Sequence, residues 1–342
     1  MRLLVTGGAG FIGSNFVRHL LRTYRNIELI NLDKLTYAGN QANLADISED
    51  HRYRFIQGDI TNASLVNSIL ETGVDAVVNL AAETHVDRSI YDSDPFLQTN
   101  VLGTYCLLRS ARKHGVTLFV HISTDEVYGS VPEGESRDEH TALSPSSPYA
   151  ASKAAADHLA GAYDRTYGVP IVILRSTNNY GPCQYPEKLI PLFVSLALED
   201  RPLPVYGDGK HLRDWMHVRD FCKAITLALE APGLRGIYNI SRGEQITNLN
   251  VADAILGHLG KSASLITHIQ DRPGHDRRYA IDSSKFRQAT GWAPEIAFAD
   301  GLKETIAWYR ANTGWLRSTR STDFQQYFER NYKRRGETLE SN

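Results

Sequence analysis

The sequence predicts an α/β protein with a doubly wound, mostly parallel sheet in its first half and a smaller C-terminal α/β portion after it. Three observations carry the prediction. Six short apolar runs, 2–6, 27–32, 53–56, 76–80, 116–123 and 170–175, alternate with helical patterns, the order that right-handed crossovers impose on a parallel sheet. Glycines stand directly after the first of these runs. Past Arg175 the texture changes to loops rich in Asn, Pro and Gly, short helices such as 187–198, and brief strands.

The totals narrow the class of protein. A chain of 342 residues can bury a sizeable core as one large or two modest domains. A formal charge of −2 offers no field to a polyanion, so nucleic acid is not an expected partner. Cys106, Cys183 and Cys222 lie far apart, which argues against a disulfide framework or a zinc site and fits a reducing compartment. Leu3-Leu4-Val5 is too short a run for a signal peptide, and no later run could span a bilayer. A cytoplasmic protein with no membrane partner is expected.

The first run leads into Thr6-Gly7-Gly8-Ala9-Gly10-Phe11-Ile12-Gly13. Gly7 permits a tight turn, Gly10 lets backbone approach a pyrophosphate, and Gly13 lets the following helix sit close to the strand. The phosphates would rest on the helix N-terminus. The second run ends with Asp33 beside it, about 20 residues further on, where an acid bonds a ribose 2′-hydroxyl and repels a 2′-phosphate. The sheet is therefore expected to be of the Rossmann type and the cofactor NAD. Asp59 after the third run and Ala81-Ala82 after the fourth stand where the adenine and the pyrophosphate-ribose would pass; Asp59 reads equally as a helix cap.

Next comes a helix over 95–111. Phe96, Leu97, Val101, Leu102, Tyr105, Leu107 and Leu108 cover more of its circumference than one sheet face can bury, which predicts a partner surface. The run 116–123 then ends abruptly in Ser123-Thr124-Asp125-Glu126, just past the carboxyl end of a strand, where open α/β sheets meet their ligands. Ser147-Pro148-Tyr149-Ala150-Ala151-Ser152-Lys153 opens a helix, with Ser146 or Ser147 as cap and Pro148 in the first turn. Tyr149 and Lys153 lie one turn apart on one face. The expectation is one active site made of Thr124, Asp125, Glu126, Tyr149 and Lys153.

Those residue types specify a chemistry. A phenol titrates near 10, so Tyr149 becomes a base at neutral pH only where a lysine ammonium and a nicotinamide cation stabilise its phenolate. The pair would take the proton of a substrate alcohol while hydride leaves its carbon. Two adjacent carboxylates imply proton transfers beyond the first, which need one base and one acid. Desolvation and mutual repulsion can keep one of two such carboxyls protonated.

Gly7-x2-Gly10-x2-Gly13, Tyr149-x3-Lys153, Asn178-Asn179-Tyr180-Gly181-Pro182 and the overall length resemble the extended short-chain dehydrogenase/reductase superfamily. Thr124-Asp125-Glu126 before Val127-Tyr128-Gly129 is similar to the nucleotide-sugar 4,6-dehydratases. Leu35-Thr36-Tyr37-Ala38-Gly39-Asn40, Ala81-Ala82-Glu83-Thr84-His85-Val86-Asp87-Arg88-Ser89 and Glu187-Lys188-Leu189-Ile190-Pro191-Leu192 look like the dTDP-glucose 4,6-dehydratase branch. The likeness spans about residues 1–315 and leaves the tail unmatched. Thr84 stands where the family more often has serine, which keeps the hydroxyl.

The resemblance implies dehydration of dTDP-glucose to dTDP-4-keto-6-deoxyglucose, with Asp125 as acid and Glu126 as base. It places Phe11, Ile12, Lys34, Thr36, Ile60, Leu80, Thr99 and Asn179 beside the cofactor with the residues already named. It assigns Thr84, Thr124, Asn178, Lys188, Leu189, Pro204, Tyr206, Arg213, Asn248 and the segment 271–275, with Arg272 and His275, to the nucleotide sugar. Lys188, Arg213, Arg272, Arg277 and Arg278 are the candidate partners for the diphosphate. A homodimer through helices 95–111 and 148–167 is what the superfamily commonly forms. Histidines 85, 121 and 217 have no partner at ligand spacing and are read as structural, with no metal.

The expected division is an NAD-binding domain over 1–175, to which 211–231 is able to return, a substrate-binding portion over 176–317 and a polar tail over 318–342. In the tail, Phe324, Tyr327, Phe328 and Tyr332 keep helical spacing, which predicts a short docked helix and then a frayed end. The competing readings are a UDP-sugar 4,6-dehydratase or a 4-epimerase of the same superfamily, and, from a different class, a non-catalytic NAD-binding sensor.

Overall fold

The computed structural model describes residues 1–320 and 322–333. Its first six strands are β1 (Arg2–Thr6), β2 (Glu28–Asp33), β3 (Tyr53–Gln57), β4 (Ala76–Asn79), β5 (Leu118–Thr124) and β6 (Ile171–Ser176). After them come β7 (Asn178–Tyr180), β8 (Leu203–Tyr206), β9 (Leu212–His217), β10 (Gly236–Ile240), β11 (Gln245–Thr247) and β12 (Ile266–Ile269). Seven form one sheet in the order β10-β6-β5-β4-β1-β2-β3, and every pairing in it is parallel. The winding reverses between β1 and β4, and the crevice at their carboxyl ends is where such a sheet receives a ligand.

The apolar runs read as strands because both faces of the sheet are covered. Leu3 and Val5 of β1 pack with Phe16, Val17, Phe221 and Ile225 on one side. Leu4, one residue out of phase, packs with Val66, Ile69 and Leu107 on the other. A third core, built from Ile190, Phe193, Trp215, Val251, Ile255, Leu302 and Tyr309, holds the C-terminal portion, whose strands pair as β11-β9-β7 and β12-β8.

Several boundaries differ from those expected. The helix predicted over 95–111 runs from Asp94 to His114 and is π-helical over Leu97–Gly103. The helix expected from 187 is Leu189–Leu198, with Lys188 as its extended cap. The large sheet does not end at 175, because β10 pairs with β6 from Gly236↔Val172 to Ile240↔Ser176. The helix Val218–Glu230 that precedes it buries Val218, Phe221, Cys222 and Ile225 against the sheet face that carries the helix Phe11–Thr23. Chain after 176 thus alternates between the two bodies, and no single cut separates them. No described helix is long and apolar enough to cross a membrane.

In the tail, a helix over Thr322–Phe328 and a π-helical turn over Glu329–Lys333 dock back on the protein, with Phe324 and Tyr327 buried. The frayed end expected after them lies outside the described residues.

Candidate active site

At the β1 turn, backbone passes too close for side chains. Gly7 has φ +69°, and a Cβ there would stand 2.7 Å from Ala81 N; a Cβ on Gly13 would stand 2.2 Å from Gly7 O. The helix Phe11–Thr23 therefore begins against the strand end, and its cap, Gly10, supplies no side-chain bond to the first amides. Those N–H groups are left to meet an anion. Asp33 is fixed by two of the same loops' amides, Ala9 N at 2.9 Å and Leu35 N at 2.8 Å. Burial lifts its carboxyl above the ordinary range, and the two amides oppose the rise. Lys34 is not aimed at the cleft as a free cation, since its Nζ lies 2.7 Å from Asp59.

One cleft runs over this turn and is lined by Gly7, Gly10, Phe11, Ile12, Gly13, Asp33, Lys34, Thr36, Asp59, Ile60, Leu80, Ala81, Ala82, Thr99, Tyr149 and Lys153. Of the residues expected beside the cofactor, Asn179 alone is elsewhere. Its amide donates to Ser176 Oγ and Thr177 O, and it faces a second cleft. The glycine cradle, the uncapped amides and the seated Asp33 fit a dinucleotide.

Tyr149 and Lys153 stand at the inner end of the first cleft. Ser147 caps their helix through Ala150 N at 3.1 Å, and Ser89 Oγ accepts from Tyr149 N. Lys153 Nζ donates to Ile122 O at 2.6 Å. Burial draws the ammonium down to about 8. Burial also raises the Tyr149 phenol, Glu126 adds to the rise, and a hydrogen bond with Thr124 opposes it.

Beyond β5 the chain turns into a short 3-10 helix, Asp125–Tyr128, capped by Thr124, whose Oγ1 accepts from Glu126 N at 3.3 Å. The same hydroxyl lies 3.3 Å from Asp125 Oδ1, so Thr124 touches both Tyr149 and Asp125 but lines neither cleft. Its hydroxyl faces both its own helix start and Tyr149. The two carboxyls differ in surroundings. Asp125 is held well above the usual range, first by burial and then by the Glu126 charge, and its Oδ2 has no hydrogen-bond partner among the described residues. Glu126 is half-buried and faces the second cleft. Burial raises it too, but Arg272, Arg213 and Lys188 pull it back.

The second cleft collects Thr84, Asn178, Lys188, Leu189, Pro204, Tyr206, Arg213, Asn248, Arg272 and His275, and it meets the first at Thr84, Gln184, Glu187 and Lys188. Arg213 is held by Leu212 O and Asp276 O, both 2.8 Å, and Arg272 by Asp87 at 3.5 Å. Buried Asn178 Oδ1, Asn248 Oδ1 and Arg272 Nε have no protein partner among the described residues. Buried polar atoms are ordinarily paired, so these three, all on residues lining the second cleft, fit a polar ligand there. Two of the five candidate cations are misplaced. Arg277 turns outward to Asp208, and Arg278 is spent on Gln245 and the carbonyls of Pro132 and Glu135.

Among the lining residues that escaped the sequence reading are Asp87, Gln184, Glu187, Tyr279 and Tyr332. Tyr279 OH bonds Asp276 at 2.9 Å and stands 3.5 Å from Glu126, while Tyr332 stacks near Tyr206 with ring centres 6.0 Å apart. Asp87 and Glu187 lie inside stretches already singled out, but nothing local marks which way they face. His211, Asp271 and His275 form a cluster of possible metal ligands. The two imidazoles are stacked 3.7 Å apart at 11°, so one ion cannot lie in both ring planes, and each ring instead faces one oxygen of Asp271. Of the histidines read as structural, His85 faces Tyr327 OH and lines the second cleft. His217 accepts from Arg219 N at the start of its helix.

Comparison with known proteins bears on this site. The profile of the family described as GDP-mannose 4,6 dehydratase matches residues 4–305. The chain is 50% identical over 327 residues to the dTDP-glucose 4,6-dehydratase of Streptomyces niveus, covering 94% of this chain and 97% of that one. It superposes with a TM-score of 0.91 on DesIV, a dTDP-glucose 4,6-dehydratase from Streptomyces venezuelae solved with NAD and dTDP bound, at 52% identity and covering 93% and 100% of the two chains. The UDP-glucose 4-epimerase of Thermus thermophilus, in complex with NAD, is 35% identical with a TM-score of 0.84, covering 91% and 100%.

Proposed function

The chain belongs to the family described as GDP-mannose 4,6 dehydratase, and from that premise we infer that it converts dTDP-glucose to dTDP-4-keto-6-deoxyglucose. It is a hydro-lyase of the dTDP-glucose 4,6-dehydratase type that uses NAD. The observation that carries the reading is the pair of adjacent carboxyls past β5 in unlike surroundings: Asp125 is buried with an unpartnered oxygen among the described residues, and Glu126 faces the cleft that Lys188, Arg213 and Arg272 line.

Each group has one task in this reading. Tyr149 takes the proton of the C4 hydroxyl, and Lys153 stabilises the phenolate that results. The cleft of Gly7, Gly10, Gly13 and Asp33 would hold NAD, which would supply reversible hydride chemistry between C4 and C6 and so leave the reaction redox-neutral. With a ketone at C4, Glu126 removes the C5 proton, and Asp125, kept neutral by burial, donates to the departing C6 hydroxyl. Thr124 holds Tyr149 and Asp125 in register. Arg213, Arg272 and Lys188 neutralise the diphosphate, and Asn178, Thr84 and Asn248 hydrogen-bond the sugar and nucleotide.

A 4-epimerase needs only the oxidation and its reversal, so two carboxyls beside the tyrosine would be superfluous there. Incubation with dTDP-glucose and, separately, UDP-glucose, followed by alkali, tests the reading: an enone absorbance from the dTDP sugar alone is the expected result. Absorbance from neither substrate would remove the dehydratase assignment. We also propose a cytoplasmic homodimer. Leu97, Leu102 and Tyr105 of one helix and Tyr167 of the other are the exposed large hydrophobic side chains, Met1 apart, among the described residues, and Tyr105 and Tyr167 flank Tyr163 edge to face.

A further inference from the structure

A buried polar chain crosses the sheet beneath Lys153, and the reaction as described makes no use of it. Ala81 N donates to Thr6 Oγ1 at 3.2 Å and Thr6 Oγ1 to Asn79 Oδ1 at 2.7 Å. Asn79 Nδ2 faces Thr104 Oγ1 at 3.2 Å and His121 Nδ1 at 3.3 Å. Since the Asn79 amide is the donor, the proton of a neutral His121 rests on Nε2, which points at Asp157 Oδ1, 3.6 Å away. Asp157 Oδ2 accepts from Arg175 Nε at 2.8 Å. Arg175 Nη1 donates to Tyr128 OH, and Tyr128 OH to Asn239 Oδ1. Every one of these side chains is buried. Apolar residues of like volume would fill the space at no greater cost to stability than a buried ion pair, so filling space does not account for the arrangement.

Asp157 lies one turn beyond Lys153 on the helix Pro148–Tyr167, and both are buried. We propose that Asp157 is a positioning residue for the reaction: ion-paired with Arg175 at 2.8 Å and set one helical turn beyond Lys153, it supports the Lys153 ammonium, so that Lys153 can hold the Tyr149 phenolate. Burial alone draws Lys153 down, and Asp157 is the group that opposes the fall.

The other titratable or charged groups around the pair are Asp125 and Glu126 past β5, His121 on β5 and Arg175 on β6. Burial and the nearby Lys153 and Arg175 cations hold the His121 imidazole well below its ordinary range, so its ring 3.6 Å from Asp157 adds no opposing charge. Asp157 also repels the phenolate. It stands eight residues from Tyr149 and four from Lys153, about 12 Å against about 6 Å along the helix axis, so its support of the ammonium outweighs that repulsion.

The inference rests on the reading of Tyr149 and Lys153 as the proton-transfer pair. Its test is the titration of Lys153 itself, followed by NMR of the full-length protein with 15Nζ-labelled lysine and assigned by loss of the signal in Lys153→Arg. The pH profile of NADH appearance on mixing with dTDP-glucose is recorded in parallel. Asp157→Asn is expected to lower the lysine midpoint by about one pH unit or more and to move the acid limb of the profile upward, with rates converging on the unmodified protein at high pH. Asp157→Glu should leave both close to their original values.

An unmoved lysine midpoint in Asp157→Asn, or a loss of rate equal at every pH, overturns the proposal. Should Asp157→Asn fail to fold because Arg175 is left buried without its partner, the double variant Asp157→Asn with Arg175→Gln removes both charges, and it must still lower the midpoint; an unmoved midpoint there overturns the proposal too. NADH formation persisting in Tyr149→Phe would sink the reading of the pair instead, whatever Lys153 titration showed.

Discussion

Arg88 and Glu187 form an ion pair, Nε to Oε2 at 2.9 Å, where the two clefts meet. The same guanidinium lies 3.9 Å from the ring centre of Tyr37, in the loop after β2, and 2.7 Å from Asp323 in the docked tail. One side chain therefore ties the NAD-side loop, the strand-to-helix loop carrying Lys188 and the C-terminal segment together. Arg88→Met leaves Glu187 buried without its partner and should cost about 3–5 kcal/mol, read as a fall in denaturant midpoint. Glu187→Gln added to it should recover most of that loss. Additive losses in the double variant would show that the pair is not what holds the junction.

Asp33 should hold NAD through the ribose. Protein purified without added cofactor is expected to carry NAD, and Asp33→Ala to lose it, measured by the nucleotide released on denaturation. Undiminished NAD in Asp33→Ala would make the carboxylate's role purely the ordering of Ala9 and Leu35 amides.

Asp125→Asn separates activity from stability. The loss of a general acid costs roughly a hundredfold to ten-thousandfold in rate, and it should cost far less on an analogue with fluoride at C6, which leaves without full protonation. Asp125 has a folded-state pKa raised above its unfolded value. Its contribution to stability is therefore present below the unfolded pKa and lost as pH rises through the folded one. Asparagine carries no such loss, so Asp125→Asn should melt higher than the unmodified protein at neutral pH, with the gap closing as pH falls toward 4. Equal rate losses on the two substrates would take the acid role from Asp125, and a lower melting point at every pH would show that the carboxyl is structural.

Glu126 as the C5 base predicts isotope exchange. Product formed in heavy water should carry deuterium at C5, seen by mass spectrometry, and Glu126→Gln should form it slowly with either C6 leaving group. Protium at C5 would exclude an elimination step.

Dimerisation through the two exposed helices predicts that Tyr105→Glu, placed among Leu97, Leu102 and Tyr167, gives a monomer by light scattering at micromolar concentration. A dimer that survives the charge would move the interface elsewhere.

Much of this molecule is written in local patterns. The glycine turn, the acid ending β2, the carboxyls ending β5 and the Tyr149–Lys153 spacing each depend on residues within a few positions of one another, because strand period, helix period and turn chemistry are short-range. The sequence by itself determined the parallel sheet, the place of the cofactor cleft and the one-turn register of tyrosine and lysine. Tertiary structure alone decided which side chains face a cleft. Arg213 and Arg272 turn inward while their neighbours Arg277 and Arg278 are bound outward, since Asp208, Gln245, Pro132 and Glu135 come from distant chain. Tyr279 and Tyr332 enter the site, and β10 enters the large sheet, for the same reason. A side chain's final direction follows the partner that satisfies its buried polar atoms, and for Arg272, Arg277 and Arg278 that partner lies tens to hundreds of positions away, beyond the reach of any local pattern.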